Sequence, residues 1–323
     1  MAEASRGRVV IGGSTGFMGR HLQRRYRAAG REVVTISRRS GAEADLSWAD
    51  QEAIARAVDG AAVVVGLAGK SVNCRYTPDN RAEIFRSRLE TTTTLADAIA
   101  AAASPPPVWI NASTATIYRH AMDRPMTEAD GDLGTGFSVE VAKAWERALF
   151  ERDLPHTRRV ALRTAIVLGP GGVLGPLRAL ARVGLGGAQH DGWWPVTPAR
   201  RAAGTAHVPG SRRGAQKFSW IHIEDAARAI DFLEDHPTIS GAVNAAAPQP
   251  EDNARLMRAI RRIVGMPFGP PLPRWALELG AWAMRTETEL ILKSRWVLPE
   301  VLSEAGFAFR FPDLESALRD ALR

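Results

Sequence analysis

A chain of 323 residues with 45% hydrophobic content can bury a sizeable core as one large α/β domain or two modest ones. No apolar run reaches the ~20 residues needed to cross a bilayer, Met1 to Gly7 lacks the apolar stretch of a secretory signal, and the single cysteine, Cys74, excludes an intrachain disulfide or a cysteine-cluster metal site, so the expectation is a cytoplasmic protein with no membrane association and a packed thiol. The net charge of +7 is scattered over Arg24, Arg25 and Arg27, over Arg38 and Arg39, and over Arg200, Arg201, Arg212 and Arg213, without interleaved aromatics, which disfavours nucleic acid and favours an anionic small ligand.

The first element is a β-branched run from Arg8 that ends in Gly12-Gly13-Ser14-Thr15-Gly16-Phe17-Met18-Gly19, followed by a helix-compatible run from Arg20 to Ala29 closed by Gly30. Strand, tight turn and helix in this order open a dinucleotide-binding unit. Gly13 is expected to take a positive φ, Gly16 to let backbone approach a diphosphate, and Gly19 to bring helix and strand close. Backbone N–H groups from Thr15 to Met18 then face the anion at the positive end of the helix.

The next strand, Glu32 to Ser37, ends in Ser37-Arg38-Arg39. NAD-binding units carry a carboxylate about 20 residues past the glycines, where it receives the adenosine ribose. A hydroxyl and two guanidiniums in its place suit a 2′-phosphate, which favours NADP(H). Asp45-Leu46 falls in a short third strand beside the adenine edge, and Asp50 to Val58 reads as a helix ended by Gly60. Ala61 to Gly69 is an apolar strand of a sheet buried on both faces, and its small end, Leu67-Ala68-Gly69, admits a cofactor. A long helix from Pro78 to Ala103 carries Arg81, Glu83, Arg86, Arg88 and Glu90 and stops at Ser104-Pro-Pro-Pro107. Val108 to Ala112 is a fifth strand leading to Ser113-Thr114-Ala-Thr116-Ile117-Tyr118, hydroxyls at the edge where open α/β sheets bind ligands.

These stretches, together with Trp145-Glu146, Val160 to Gly172, Gly184 to Gly187, Ser219 to Asp225 and Gly241 to Pro248, resemble an atypical extended short-chain dehydrogenase/reductase (SDR), of the NAD-dependent epimerase/dehydratase-like group with a DUF1731 tail. The likeness spans nearly the whole chain. It implies that Ser37 and Arg38 hold the 2′-phosphate, that Leu67 and Ala68 line the cofactor, that Glu83 and Arg88 reach it from the long helix, with Glu83 meeting ribose hydroxyls or orienting Arg88, and that Val167 approaches the nicotinamide. As bare residues, Glu83 and Arg88 read equally as exposed helix charges.

Enzymes of that superfamily use a Ser or Thr, a Tyr, and a Lys four residues later, the lysine lowering the tyrosine pKa for proton transfer. Thr114 matches the first. Aligning on Trp145-Glu146 puts Ser138 at the tyrosine position and Ala142 at the lysine position, with Lys143 turned about 100° away on the helix. Candidate catalytic residues are therefore Thr114, Tyr118 and Ser138, with Glu128, Lys143 and Tyr76 further off, and Tyr118 has a packing role as its alternative.

The strand Arg158 to Leu168 breaks at Gly169-Pro170-Gly171-Gly172. A long Pro-, Gly- and Arg-rich segment, Ala188 to Gln216 with Trp193-Trp194, departs from the family pattern and reads as a lid or as a disordered insertion with locally packed tryptophans. His222 reads as structural, Asp225 as the cap of a helix from Ala226 to Glu234, and the seven histidines show no metal-ligand spacing. Five helices follow: Ala254 to Val264, Trp275 to Met284, Glu287 to Leu292, Pro299 to Gly306 and Leu314 to Leu322.

The expected fold is a doubly wound, mainly parallel Rossmann-type sheet with a smaller mixed C-terminal lobe. Residues 7–170 form the NADP-binding core, and 171–323 form the substrate lobe and helical tail, with 218–235 returning to the core. The expected activity is an NADP(H)-dependent oxidoreductase or epimerase-like reaction on a small polar molecule. The rival is a catalytically degenerate NADP-binding regulator of a partner. A homodimer is compatible with either.

Overall fold

The structure, a computed structural model, describes residues 7–323, so the Met1–Gly7 signal reading lies almost wholly outside the described residues. In chain order the elements are β1 (Val9–Gly12), α1 (Phe17–Ala28), β2 (Val33–Ser37), β3 (Leu46–Ser47), α2 (Gln51–Val58), β4 (Val63–Gly66), α3 (Pro78–Ala101), β5 (Val108–Thr114), α4 (Phe137–Glu151), β6 (Arg158–Thr164), β7 (Ile166–Leu168), α5 (Leu174–Arg182), α6 (Pro198–Ala202), β8 (Lys217–Phe218), β9 (Trp220–His222), α7 (Ile223–Asp235), β10 (Gly241–Ala245), β11 (Glu251–Asp252), α8 (Asn253–Val264), α9 (Arg274–Ala283), α10 (Glu289–Leu292), α11 (Glu300–Glu304) and α12 (Leu314–Ala321).

Seven strands form one parallel sheet in the order β10-β6-β5-β4-β1-β2-β3. Strand order reverses between β1 and β4, the switch point at which ligands of open α/β sheets bind. The apolar strands are buried on both faces because successive side chains feed opposite layers. Val9, Ile11, Val63, Val65, Val108 and Ile110 pack with Leu22 and Tyr26 of α1 and Ile230 and Leu233 of α7. Val10, Val64 and Trp109 pack on the other side with Ile54 of α2, Leu95 and Ile99 of α3 and Leu149 of α4. The doubly wound, parallel expectation holds.

The sixth strand departs from expectation. The strand 158–168 is two strands: β6 lies between β5 and β10, but after Ala165, which bonds Ala245, Ile166 bonds Ser219 and β7 pairs with β9 in a separate two-stranded sheet. The hydrogen-bond partners change at one residue, and the chain there leaves the core for the lobe. The chain then rejoins the central sheet through β10 at its edge.

The lobe has its own core, in which α5, α8 and α12 enclose Leu174, Leu256, Met257, Ile260 and Leu318 around Trp220. Arg25, one of the arginines read as exposed basic surface, pairs with Asp231 at 2.7 Å and clamps α1 to α7, and Arg31, just past α1, pairs with Glu234 of α7 at 2.8 Å. No helix among the described residues is long and apolar enough to cross a membrane.

Asp225 is not the helix cap. His222 holds that position, its Nδ1 accepting from the Glu224 N–H at 3.2 Å. Asp225 lies in the first turn of α7, fully buried, and accepts the backbone N–H groups of Arg310 at 2.7 Å and Phe311 at 2.8 Å as well as the Arg228 guanidinium at 3.1 Å. It latches the C-terminal segment onto the core. Asp225→Ala strands two backbone donors and is expected to cost about 2–4 kcal/mol of stability; a urea midpoint equal to wild type would refute the latch.

Candidate functional site

The site begins where β1 ends. Gly13 has φ +80°, and a Cβ built there lies 2.7 Å from the Leu67 carbonyl carbon and the Ala68 nitrogen, so only glycine lets the turn close against the end of β4. The expected role of Gly13 holds. A Cβ on Gly19 meets Ser14 Cα at 2.7 Å, so α1 packs onto the turn itself and not onto the strand. The helix starts at Phe17, three residues before the expected start, with Gly16 as a cap lacking any side-chain bond and with no acidic residue in the first turn. An uncapped positive helix end suits an anion.

A cavity of about 400 Å³ opens here. It brings together Gly13, Thr15 and Gly16 of the turn, Ser37 and Arg38 at the end of β2, Leu67, Ala68 and Gly69 past β4, and Glu83 of α3. Trp48 and Lys70 also line it, and sequence reasoning missed both. Lys70 was signalled by its place directly after the small-residue strand end. Trp48 was not, because only the fold lays its ring over Gly12. Among the described residues no ion pair or side-chain hydrogen bond engages the exposed guanidiniums of Arg38 and Arg39. The Ser37 hydroxyl donates to the Arg39 carbonyl at 2.6 Å and shapes the turn.

Other expected residues stand apart from this cavity. Phe17 lies against Gly169 and Gly172, Met18 and Val167 pack on the first core layer, and Arg39 lies outside the lining. Glu83 does not orient Arg88; it pairs with Arg86, whose Nε lies at 3.0 Å. Arg88 turns inward instead, donating to the carbonyls of Lys70 and Ile84 at 3.1 and 3.0 Å and stacking on Trp145, 4.9 Å from the ring centroid. Burial brings its pKa down to about 10. Arg88 therefore supports the strand exit beneath Gly69.

At the end of β5, Thr114 accepts the Thr116 N–H at 3.1 Å, which leaves its hydroxyl proton available. Ser138, in the first turn of α4, lies 3.4 Å from the Tyr76 hydroxyl. The Tyr76 ring is set edge-on against Phe137, 4.7 Å between centroids. Burial pushes the Tyr76 pKa up to about 12 even though Ser138 opposes the shift, so the phenol stays neutral. A tyrosine hydroxyl thus stands beside the residue aligned with the missing tyrosine, from a loop that sequence alignment does not connect to it. Ala142 is fully buried, with no room for a lysine, and Lys143 points elsewhere, donating to the Gly134 carbonyl and to Glu140, both at 3.1 Å.

Tyr118 is buried, its hydroxyl donating to Asn244 at 3.0 Å and accepting from Arg163 at 2.8 Å. Arg163 forms a fork with Glu146, which also accepts from Ser113 at 2.6 Å. Glu128 accepts the Asn244 N–H at 2.7 Å and the Glu300 N–H at 3.2 Å. Tyr118 and Glu128 are thus built into one polar network that ties β5, α4, β6, β10 and the tail together.

The segment 188–216 is tied down, so the reading as a disordered insertion does not hold. Asp191 receives His207 at 2.9 Å, Gly210 N–H at 3.0 Å and Arg274 at 3.0 Å, while Arg200 meets Glu287 at 2.7 Å and the Gly204 carbonyl accepts the Phe137 N–H at 3.0 Å. Its tryptophans do not pack together locally, since Trp193 is 82% exposed.

Behind Thr116, Lys293 donates to its carbonyl at 3.1 Å, and burial, reinforced by Arg295, lowers the Lys293 pKa to about 8. Below that pH the folded state carries the full cost of a buried ammonium. Between about pH 8 and the ordinary lysine value near 10.4 only the unfolded chain keeps the proton, so this group's contribution to stability improves as pH rises. Lys293→Met is expected to exceed wild type in stability at pH 7 by up to roughly 3 kcal/mol, with the advantage shrinking toward pH 10. Urea titrations at pH 7 and 9.5 that give the same difference would contradict this.

The NAD dependent epimerase/dehydratase family model matches residues 9–246, and the domain of unknown function DUF1731 matches residues 272–321. Epimerase family protein SDR39U1 of Bos taurus is 32% identical over 322 residues, 98% of this chain and 99% of its own. Epimerase family protein Mb2239 of Mycobacterium bovis is 32% identical over 315 residues, 96% of each chain. Among solved structures, human SDR39U1 (isoform 2) with NADPH matches with a TM-score of 0.81 at 28% identity, over 97% of this chain and 98% of that one. A nucleoside-diphosphate sugar epimerase from Corynebacterium glutamicum matches with a TM-score of 0.72 at 27% identity, over 98% of this chain and 58% of its own. The matched models, the seven-stranded parallel sheet and the glycine turn at its switch point agree: this chain belongs to the NAD dependent epimerase/dehydratase family and carries a DUF1731 tail.

Proposed function

We propose that the protein is an NADP(H)-dependent oxidoreductase or epimerase-like enzyme acting on a small polar molecule. The observation that carries this is the Arg38 guanidinium, unpaired among the described residues, on the rim of a cavity lined by the Gly13 turn and the uncapped start of α1, with no carboxylate at the end of β2. The residues fit the cofactor: the N–H groups of Thr15, Phe17 and Met18, which no backbone carbonyl of the turn engages, would hold the diphosphate, Arg38 the 2′-phosphate, and Leu67 to Gly69 the adjoining nucleotide. The human relative crystallised with NADPH supports the same reading. When bound, the cofactor supplies or accepts hydride.

The chain's own part is the proton. In an ordinary member of the superfamily a lysine lowers a tyrosine's pKa so that it can abstract from an alcohol. Here the phenol of Tyr76 is held neutral beside Ser138, so the pair is a hydrogen-bond and proton donor, suited to a carbonyl oxygen that gains negative charge. Thr114, with its proton available, is a second donor. In this reading Tyr118 is a structural post. The rival reading, a non-catalytic NADP-responsive partner protein, draws on the serine and buried alanine standing where tyrosine and lysine are usual.

Calorimetry with NADP and NAD tests the cofactor assignment. Wild type is expected to prefer NADP, and Arg38→Ala to lose roughly tenfold to a hundredfold of NADP affinity by removing a charge-assisted bond of about 1.5–3 kcal/mol, with NAD binding little changed. Equal affinity for the two nucleotides, unaltered in the variant, would remove the basis of the assignment. With an NADPH-oxidising substrate from a carbonyl panel, Tyr76→Phe is expected to lower kcat by about 10²–10⁴ while NADPH affinity stays the same. A full rate in that variant would assign the proton elsewhere.

A further inference from the structure

The cavity behind Thr116 does not belong to the nucleotide cradle. It lies where the lobe meets the core, with Ile166 of β7 on one wall and α5, α8 and α10 around it. Three cations line it: Lys217, Lys293 and Arg295. Arg295 and Lys293 are each 7% exposed, and no carboxylate among the described residues comes within ion-pair distance of any of the three. Arg295 gives its Nε to Thr116 Oγ1 at 3.2 Å and its Nη1 to the Leu290 carbonyl at 3.2 Å, and its Nη2 has no partner among the described residues. Lys293 spends one of three protons, on the Thr116 carbonyl. Lys217 sits over the Trp296 ring, 5.1 Å from its centroid. Glu289 is the carboxylate whose charge favours the protonated forms of Lys293 and Arg295, and its Oε2 is buried without a hydrogen-bond partner. The lining is thus left with an excess of positive charge.

Burying cations without counter-charge is costly, and proteins seldom leave them so unless something else neutralises them. The remaining polar lining comprises Gln189, Gln216 and Asn253, tied to one another by bonds of 2.7–2.9 Å. Lys293 and Arg295 are held in place before anything binds by Thr116 and the Leu290 carbonyl. We propose that this cavity is the substrate's anchoring subsite and takes a compact oxyanion, a carboxylate or a phosphate monoester, carried by the molecule whose reacting carbon meets the Thr114, Ser138 and Tyr76 hydroxyls. Its volume of about 60 Å³ accommodates such a group and is far below the roughly 300–1,000 Å³ of pockets that enclose drug-sized ligands, so a nucleoside diphosphate is not its occupant. The substrate class that follows is a small carbonyl or alcohol acid, or its phosphorylated counterpart. Placing the subsite against Thr116, two residues beyond Thr114, couples the anchor to the chemistry through one turn of chain.

This inference rests on the NADP(H) reading above, so the experiment is run on protein saturated with NADP, with nucleotide binding confirmed first. Isothermal titration then uses oxalate, inorganic phosphate and UDP as probes, with chloride matched throughout. Saturable oxalate or phosphate binding, weakened at least tenfold in Lys293→Met and in Arg295→Met while NADP affinity is kept, supports the subsite; whichever of the two anions binds tighter assigns carboxylate or phosphate. UDP binding tighter than both, and unaffected by the two substitutions, overturns it, as does anion binding no stronger than that of chloride. Should Arg295→Met fail to fold, Lys293→Met and the wild-type order of oxalate, phosphate and UDP decide the question. Loss of NADP binding in wild type would instead strike the cofactor assignment.

Discussion

The close approach of two backbones at the ends of β1 and β4 is the constraint on which the site depends. Gly13 meets Leu67 and Ala68 at a distance that excludes any side chain, and Gly19 seats α1 on the same turn. Together they fix the helix's uncapped N-terminus at the switch point of the sheet. Any side chain at Gly13 would push the helix from the strand and carry the polarised end of α1 away from the cavity. The apolar strands on either side supply the stiffness, because each contributes side chains to both core layers.

A second constraint is the polar network at the carboxyl end of the sheet. Ser113, Glu146, Arg163, Tyr118 and Asn244 form a continuous hydrogen-bonded path across β5, α4, β6 and β10, closed by Glu128 on the tail. A buried fork between arginine and carboxylate is geometrically demanding, and breaking it leaves a charge unpaired, so it registers elements against each other more than it adds stability. It also engages the hydroxyl of Tyr118, one of the two tyrosines the sequence offered as candidates. Elsewhere on α4, Tyr76 from the loop after β4 reaches Ser138.

The lobe and the C-terminal segment are held by buried polar contacts. Asp191 gathers His207, Gly210 and Arg274, and Asp225 gathers the segment at Arg310 and Phe311. Both carboxylates satisfy backbone or cationic donors from distant stretches, which lets irregular chain lie in place without regular secondary structure. Lys293 and Arg295 lie within this lobe largely removed from solvent.

The sequence by itself determined the parallel sheet, the glycine turn, the basic end of β2 and the absence of a tyrosine–lysine pair on α4. Each is a local pattern: a run of β-branched residues, a positive-φ glycine before a helix, or a residue type at a fixed helical spacing. Tertiary structure decided what local patterns cannot encode. It split 158–168 between two sheets, because a strand's partners are chosen by distant chain. It turned Asp225 from cap to latch and drew Arg88 inward beneath the chain leaving β4, because a long or buried side chain goes where its partners lie. It brought Tyr76 to Ser138, and Lys217 to Lys293 and Arg295, across separations in sequence that no periodicity spans, since long-range contacts follow from packing and only then define a site.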